Sequence, residues 1–176
     1  MLKEPSLTQL YRYVCRIAEL GLLKMGDEQV PDTPCGYGDF MMDLLLMSLQ
    51  PDIEKASGLA LYPTYSYLRI YKLGDTLAKH TDRPSCEISV TLCLGFEAEK
   101  SWPIWIEGPL RASSVVLAAG DALLYRGTEH SHWREAFEGR RLAQAFLHYV
   151  DRNGPHTEWK FDKRKSLTEL VPKTRA

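Results

Sequence analysis

The chain contains 176 residues, of which 44% are hydrophobic and 26% are charged. This length suits one domain with its own core, and the composition is typical of globular proteins. Its 22 lysine and arginine residues nearly balance 23 aspartate and glutamate residues, and this net charge of -1 argues against a nucleic-acid-binding or membrane-surface protein.

We expect neither a membrane-spanning helix nor a secretory signal from this sequence. No apolar run approaches the roughly 20 residues that a membrane-spanning helix needs. The first ten residues, MLKEPSLTQL, lack the apolar segment of a secretory signal. The cysteines form no CxxC pair; they are Cys15, Cys35, Cys86 and Cys93. We therefore expect a cytoplasmic protein with reduced thiols. The sequence leaves the oligomeric state open.

The first third of the chain is predicted to be helical. Ser6 can cap a helix that ends near Gly21. Apolar side chains recur in it at helical spacing, namely Leu10, Tyr13, Val14, Ile17 and Leu20. Prolines and glycines in residues 29–38 predict a loop. A second helix is predicted over 39–50, followed by a short helix over 51–57 that begins at a proline.

Short β-forming runs separated by turn signals follow Gly58. In residues 86–94, apolar side chains alternate with polar ones, as expected for a strand with one face in a core. The predicted strands are 62–71, 86–94, 104–107, 114–118, 122–125 and 141–150. Strands at this spacing indicate an antiparallel sandwich or barrel, with the helices packed on the outside of one sheet.

We expect a single domain over 1–176, made of three parts. Residues 1–58 would form a helical support, 59–151 the β-rich core, and 152–176 a basic tail. From Lys160 to the end there are six basic and two acidic residues. This composition predicts a solvated end or a contact for an anionic partner.

The strongest chemical signal is the tripeptide His80-Thr81-Asp82. On a strand, the side chains at positions i and i+2 point to the same face, so the imidazole and the carboxylate could bind adjacent positions of one metal. His132 lies 52 residues further on and could supply a third ligand from a separate strand. Two histidines and one carboxylate leave open metal positions, which is the arrangement of non-haem Fe(II) oxygenases.

A basic residue, Arg141, follows His132 after nine positions. A guanidinium near such a metal could hold the far carboxylate of a dicarboxylic cosubstrate. Strand alternation gives Arg141 the small neighbours Ala143 and Ala145 on its own face, which would leave room for a slender ligand. His148 falls on the opposite face, where a structural role is expected.

Together these motifs resemble the 2-oxoglutarate/Fe(II) dioxygenases, and most closely the prolyl-hydroxylase-like group. The matching residues are Tyr71, His80, Asp82, His132 and Gly139-Arg140-Arg141. The resemblance covers about residues 60–150 and implies a double-stranded β-helix core of the jelly-roll, cupin-like type. It also implies Fe(II), 2-oxoglutarate as cosubstrate and O₂, with ascorbate a candidate reductant.

The implied activity is hydroxylation of an amino-acid, peptide or protein side chain, such as a prolyl group, with release of succinate and CO₂. The resemblance implies that His80, Asp82 and His132 bind the metal and carry catalysis. Tyr71 and Arg141 would contact the cosubstrate, and Thr91 is a candidate polar liner of the same cavity. The substrate, whether small molecule or peptide, is not readable.

Several assignments stay open at this point. His130 competes with His132 for the third ligand position, although His132 gives the better match to G-x-R. Tyr71 could contact the cosubstrate or pack in the core. Arg69 shares the strand face of Tyr71, so it could point into the cavity, where it would need an anionic partner.

Other functions compete with hydroxylation. A nucleic-acid demethylase of the same superfamily is disfavoured because Leu147 stands where those enzymes typically carry a second arginine. A cupin-like metalloprotein that does not use 2-oxoglutarate, or a metal-free binding module, would leave Arg141 structural. A halogenase is disfavoured because Asp82 keeps the carboxylate that halogenases replace.

Overall fold

The computed structural model describes residues 3–167. Its two α-helices are α1 (Ser6–Glu19) and α2 (Phe40–Ser57). Its strands are β1 (Lys24–Met25), β2 (Pro34–Tyr37), β3 (Leu61–Lys72), β4 (Leu77–His80), β5 (Ile88–Glu97), β6 (Ile104–Glu107), β7 (Ala112–Val115), β8 (Ala122–Tyr125), β9 (His132–Arg134) and β10 (Arg141–Asp151). Short helical turns occur at Pro84–Cys86 and Thr157–Lys163. No helix within the described range is long and apolar enough to cross a membrane.

The strands form two antiparallel sheets. One has six strands in the order β1-β2-β3-β10-β5-β8, and the other has four in the order β4-β9-β6-β7. From β3 onward the chain crosses repeatedly between the sheets, which is the topology of a double-stranded β-helix. Both helices pack on the six-stranded sheet. The predicted jelly-roll core with helices on one sheet is therefore confirmed.

Helix α2 differs from the prediction because it continues through Pro51. Asp39 caps its start by accepting hydrogen bonds from the backbone N–H groups of Met41 and Met42. On both sides of the proline, the helix is tied to the start of β3. Glu54 accepts from the Leu61 backbone N–H at 2.8 Å, and Gln50 donates to the Leu61 carbonyl at 3.0 Å. These bonds offset the backbone hydrogen bond that a proline cannot make.

The loop predicted over 29–38 contains a strand, β2, that the sequence did not reveal and that lies between β1 and β3. Strand β2 pairs with β3, and this pairing sets Cys35 opposite Arg69. The free edge of a sheet can pair with a segment that has no periodicity of its own. Asp27, Glu28 and Gln29, which precede this strand, line the cavity described below. The described part of the basic tail ends with Leu167 buried in the core, and residues 168–176 lie outside the described residues.

Strand alternation divides the six-stranded sheet into two chemically different faces. The face under the helices carries Ile88, Val90, Leu92 and Leu94 of β5 and Ala143, Ala145, Leu147 and Tyr149 of β10. Leu46 of α2 packs on this face, and the hydroxyl of Tyr149 donates to the Leu46 carbonyl at 2.7 Å. The other face looks toward the four-stranded sheet and carries polar side chains such as Ser89, Gln144 and His148.

The seating of α2 can be tested by a matched pair of leucine substitutions. Leu46 is completely buried, whereas Leu44 is 38% exposed on the same helix. Leu46→Ala should lower the free energy of unfolding by about 2–5 kcal/mol, because it leaves a cavity between helix and sheet. Leu44→Ala should cost less than about 1 kcal/mol. Urea denaturation measures both, and equal losses would contradict this packing.

Candidate metal centre and its cavity

Two histidines and one aspartate converge where β4 meets β9. The pairing of these strands sets His80 directly opposite His132, and their ring centroids lie 4.3 Å apart. Asp82 follows two residues after His80, with its Oδ1 3.6 Å from the Nε2 atom of each histidine. All three ligand atoms lie within 4.8 Å of one another. This spacing suits a single divalent ion.

The backbone holds both imidazoles with Nε2 toward the cluster. The Nδ1 of His80 is 2.8 Å from the Ala78 carbonyl, and the Nδ1 of His132 is 3.0 Å from the His130 carbonyl. Because a carbonyl only accepts, each Nδ1 carries the proton, and the neutral ring then has its lone pair on Nε2. Such bonds from the far ring nitrogen are typical of metal-binding histidines.

The Asp82 carboxylate is held by neighbouring groups. Its Oδ2 accepts from the Ser89 hydroxyl at 2.9 Å, and its backbone N–H donates to the Gly127 carbonyl at 2.9 Å. A Cβ atom built on Gly127 would overlap the Asp82 carboxylate and would lie 2.5 Å from the Cys86 carbonyl. Position 127 therefore has to be glycine for the backbone to pass this close to the carboxylate.

The electrostatic environment favours the metal-binding forms of Asp82 and His132. Burial opposes the charge on Asp82, but the hydrogen bond to His80 and the nearby His148 and His132 leave its pKa below the ordinary value. Burial lowers the pKa of His132. The hydrogen bond to Asp82 raises the pKa of His80. A carboxylate and at least one neutral imidazole are therefore present at neutral pH.

A cavity of about 650 Å³ opens beside the three residues. Its walls are rich in tyrosine, contributed by Tyr37, Tyr65, Tyr67, Tyr71 and Tyr125. The Tyr125 hydroxyl lies 3.4 Å from the Nε2 of His132. Phe146 and His148 of β10 also line it. A volume of this size is within the range of small-molecule sites.

Arg141 does not join this group. It opens β10 on the face under the helices, where its guanidinium lies 3.7 Å from Glu19 of α1 and 3.8 Å from Glu97 of β5. The strand alternation expected from the sequence is correct, but the face that carries Arg141 packs against α1 rather than lining the cavity. This position differs from the one expected for a residue that binds the cosubstrate.

The other predicted contacts lie on the inner face. Tyr71 is completely buried, lines the cavity and accepts a hydrogen bond from Arg69 at 3.3 Å. Thr91 is also completely buried and accepts from the Gln144 amide at 2.7 Å, one layer away from the cavity. Arg69 points into the cavity, as its parity indicated, and its anionic partner is Asp27.

The two histidines that competed for the third ligand position, His130 and His132, differ in their distance from the cluster. The Nδ1 of His130 lies 3.1 Å from the Glu107 carbonyl, and this histidine is not among the three clustered ligands. His148 lies beside the cluster instead, with Nδ1 3.0 Å from the Ser89 hydroxyl. Burial lowers the pKa of His148 to about 4, so its ring is neutral at physiological pH. With Asp82 and Cys86 it forms a second group of ligand atoms.

Sequence reasoning gave no role to two features of this region. Asp27 lies two residues before the predicted loop and bonds both the Arg69 guanidinium and, at 2.5 Å, the Tyr67 hydroxyl. Arg134 is only 3% exposed, and its guanidinium lies over the Trp102 ring. Side-chain alternation along β9 could have placed Arg134 near the cluster, because residues 132 and 134 share a face.

Comparison with known proteins supports the fold. No family model matches the sequence, and the comparison with curated proteins found no match. Among solved structures, a Pseudomonas putida prolyl-4-hydroxylase has 17% identity and a TM-score of 0.63, covering 85% of this chain and 88% of that one. The non-haem alpha-ketoglutarate-dependent epimerase SnoN from nogalamycin biosynthesis has 16% identity and a TM-score of 0.69, covering 99% of this chain and 83% of that one.

A Trichoplax adhaerens prolyl hydroxylase, solved with a peptide fragment of hypoxia inducible factor, is similar as well. It has 14% identity and a TM-score of 0.66, covering 86% of this chain and 80% of that one. These structural similarities, at sequence identities of 17% or less, show that this chain shares the fold. They do not extend to substrate or activity, because one fold supports many functions.

The close approach at Gly127 provides a test of the metal centre. Gly127→Ala should weaken binding of Fe(II), or of Mn(II) as a stable substitute, by about 10- to 100-fold, because the methyl group displaces the Asp82 carboxylate. Thr128→Ala in the same turn is the matched control and should leave the affinity unchanged. Anaerobic isothermal titration measures both variants. Unchanged metal affinity in Gly127→Ala would remove Asp82 from the ligand set.

Proposed function

We propose that this chain is an Fe(II)- and 2-oxoglutarate-dependent oxygenase whose metal is held by His80, Asp82 and His132. The observation that carries the proposal is the convergence of two Nε2 lone pairs and one carboxylate oxygen within 4.8 Å at the wall of a cavity. The fit is chemically specific, since neutral imidazole and carboxylate ligands with further positions open suit non-haem Fe(II).

When bound, the metal would supply the activation of O₂ that protein side chains cannot provide. One oxygen atom of O₂ would enter succinate as 2-oxoglutarate loses CO₂, and the other would enter a C–H bond of the substrate. Ascorbate would serve as a reductant that keeps the iron as Fe(II). The protein's own task is to bind, orient and desolvate these reactants.

Individual side chains have definable tasks in that scheme. The carbonyls of Ala78 and His130 hold the two imidazoles in the metal-binding tautomer. Ser89 holds the Asp82 carboxylate by its second oxygen. The rings of Tyr71 and Tyr125 bound the cavity next to His132 and limit the access of water. Such shielding protects reactive intermediates from side reactions.

We propose a substrate that is an amino acid, a peptide or protein side chain, or a small molecule. The cavity offers tyrosine rings and hydroxyls together with the charged pair Arg69–Asp27, which suits a ligand with both apolar and polar parts. A prolyl side chain stays a hypothesis at the level of the fold. A nucleic acid is disfavoured as substrate. Leu147 stands where nucleic-acid demethylases typically carry a second arginine, and its side chain packs in the core under the helices. The net charge of -1 also gives no sign of a basic surface for such a partner.

One observation favours a second candidate, a cupin-like metalloprotein that does not use 2-oxoglutarate. Arg141 lies outside the cavity and is already balanced by Glu19 and Glu97. If no other cationic side chain binds the far carboxylate of 2-oxoglutarate, the metal site would act on a different ligand.

Anaerobic addition of 2-oxoglutarate to the Fe(II)-loaded protein separates the two candidates. The oxygenase should develop a visible metal-to-ligand charge-transfer band, because the keto acid chelates iron. His132→Ala should abolish the band, whereas His130→Ala, the matched control two residues away, should retain it. Succinate release under O₂ should likewise be lost in His132→Ala and retained in His130→Ala.

Two outcomes would contradict the proposal. Absence of the band with iron demonstrably bound would favour the cupin-like metalloprotein. Retention of the band in His132→Ala with loss in His130→Ala would reverse the choice of third ligand. Elemental analysis of the purified protein accompanies both measurements, since a chain without stoichiometric metal would be a binding module.

A further inference from the structure

We propose that Arg134 of β9, rather than Arg141 of β10, binds the distal carboxylate of 2-oxoglutarate. This inference rests on the proposed function, because it names the residue that would hold the cosubstrate in that reaction. It differs from the expectation based on sequence resemblance, which assigned the task to Arg141. Three features of the described residues carry it.

The first feature is an uncompensated buried charge. Arg134 is only 3% exposed, yet no carboxylate among residues 3–167 forms an ion pair with it. It donates hydrogen bonds to neutral oxygens, from Nη1 to the Trp102 carbonyl at 2.7 Å and from Nη2 to the Gln144 amide oxygen at 3.4 Å. A buried guanidinium without a counter-ion is costly, and an anionic ligand would remove that cost.

Other arginines that were candidates for this task are already neutralised. Arg69 points into the cavity but pairs with Asp27. Arg141 lies between Glu19 and Glu97 on the outer face of the sheet. Of these three arginines, Arg134 is the one that combines burial inside the β-helix with the lack of a carboxylate partner.

The second feature is distance from the metal. His132 and Arg134 stand at positions i and i+2 of β9, so their side chains share the inner face about 6.6 Å apart along the strand. Four carbon–carbon bonds of about 1.5 Å, fully extended, make 2-oxoglutarate about 5 Å long from one carboxyl carbon to the other. A ligand that chelates the metal beside His132 therefore has the length to reach Arg134.

The third feature is the composition of the surroundings. Trp102 provides a ring 4.5 Å from the Arg134 guanidinium, and Gln144 and Thr91 provide an amide and a hydroxyl on the same side. The Trp102 ring also lies 4.8 Å from the ring of Tyr71, which lines the cavity. Arg134 itself is not among the residues that line the cavity, so the distal carboxylate would have to enter past Tyr71 to meet the guanidinium fork.

The test compares 2-oxoglutarate with 2-oxopentanoate, which chelates metal equally but lacks the distal carboxylate. Binding of each is titrated into the Fe(II)-loaded, anaerobic protein and followed by the charge-transfer band. The wild-type protein should prefer 2-oxoglutarate by about 30-fold or more, because a buried charge pair is made only with that ligand. Arg134→Met should bind both keto acids with the same affinity.

A second readout distinguishes ligand binding from a structural role. If Arg134 is an uncompensated cation, Arg134→Met should raise the melting temperature of the ligand-free protein. If Arg134 is structural, the melting temperature should fall. Gln144→Glu gives an independent variant that keeps the arginine. It sets a carboxylate beside the guanidinium, so it should also remove the preference for 2-oxoglutarate.

Control variants keep this inference separate from the proposed function. Arg141→Met, on the outer face, should leave the preference intact. Loss of preference in Arg141→Met or in Arg69→Met, with Arg134→Met unaffected, would overturn the assignment of Arg134 while the oxygenase proposal stands. Absence of any keto-acid band in the wild-type protein with iron bound would instead contradict the proposed function itself.

Discussion

The antiparallel pairing of β4 with β9 is the constraint on which the site depends. It sets His80 opposite His132 and so brings residues 52 positions apart in the chain to a ring separation of 4.3 Å. The carbonyls of Ala78 in β4 and of His130, just before β9, orient the two imidazoles. Because hydrogen bonds across a sheet determine this geometry, the fold itself holds the three candidate ligands together.

Buried charge is distributed unevenly around that centre. Arginines with acidic partners occur at the cavity mouth and on the outer face of the large sheet, where Arg69 meets Asp27 and Arg141 meets Glu19 and Glu97. Inside the β-helix, Arg134 has only neutral oxygens and an aromatic ring around it. An interior that keeps a cation without an anion is less stable than it could be, and functional sites commonly carry such a cost.

Period-two alternation allowed much of the molecule to be predicted. It separated Ile88, Val90 and Leu92 from the polar side chains between them, and the structure has the same division. It gave Arg69 and Tyr71 a common face, and both line the cavity. Alternation could not show which face of β10 lies under the helices and which faces the cavity, since both faces are covered. The face with Arg141 and Ala143 lies under the helices, and that with Gln144 and His148 faces the cavity.

The sequence by itself determined the fold class and the three candidate metal ligands, because strand periodicity and the H-x-D spacing are local properties of the chain. Tertiary structure alone decided which cations reach the cavity. Asp27 meets Arg69 only because the segment before β2 folds over the sheet edge, and Gly127 supports Asp82 only through a backbone contact from a distant turn. Such contacts depend on how strands and loops pack, and no spacing within the chain encodes them.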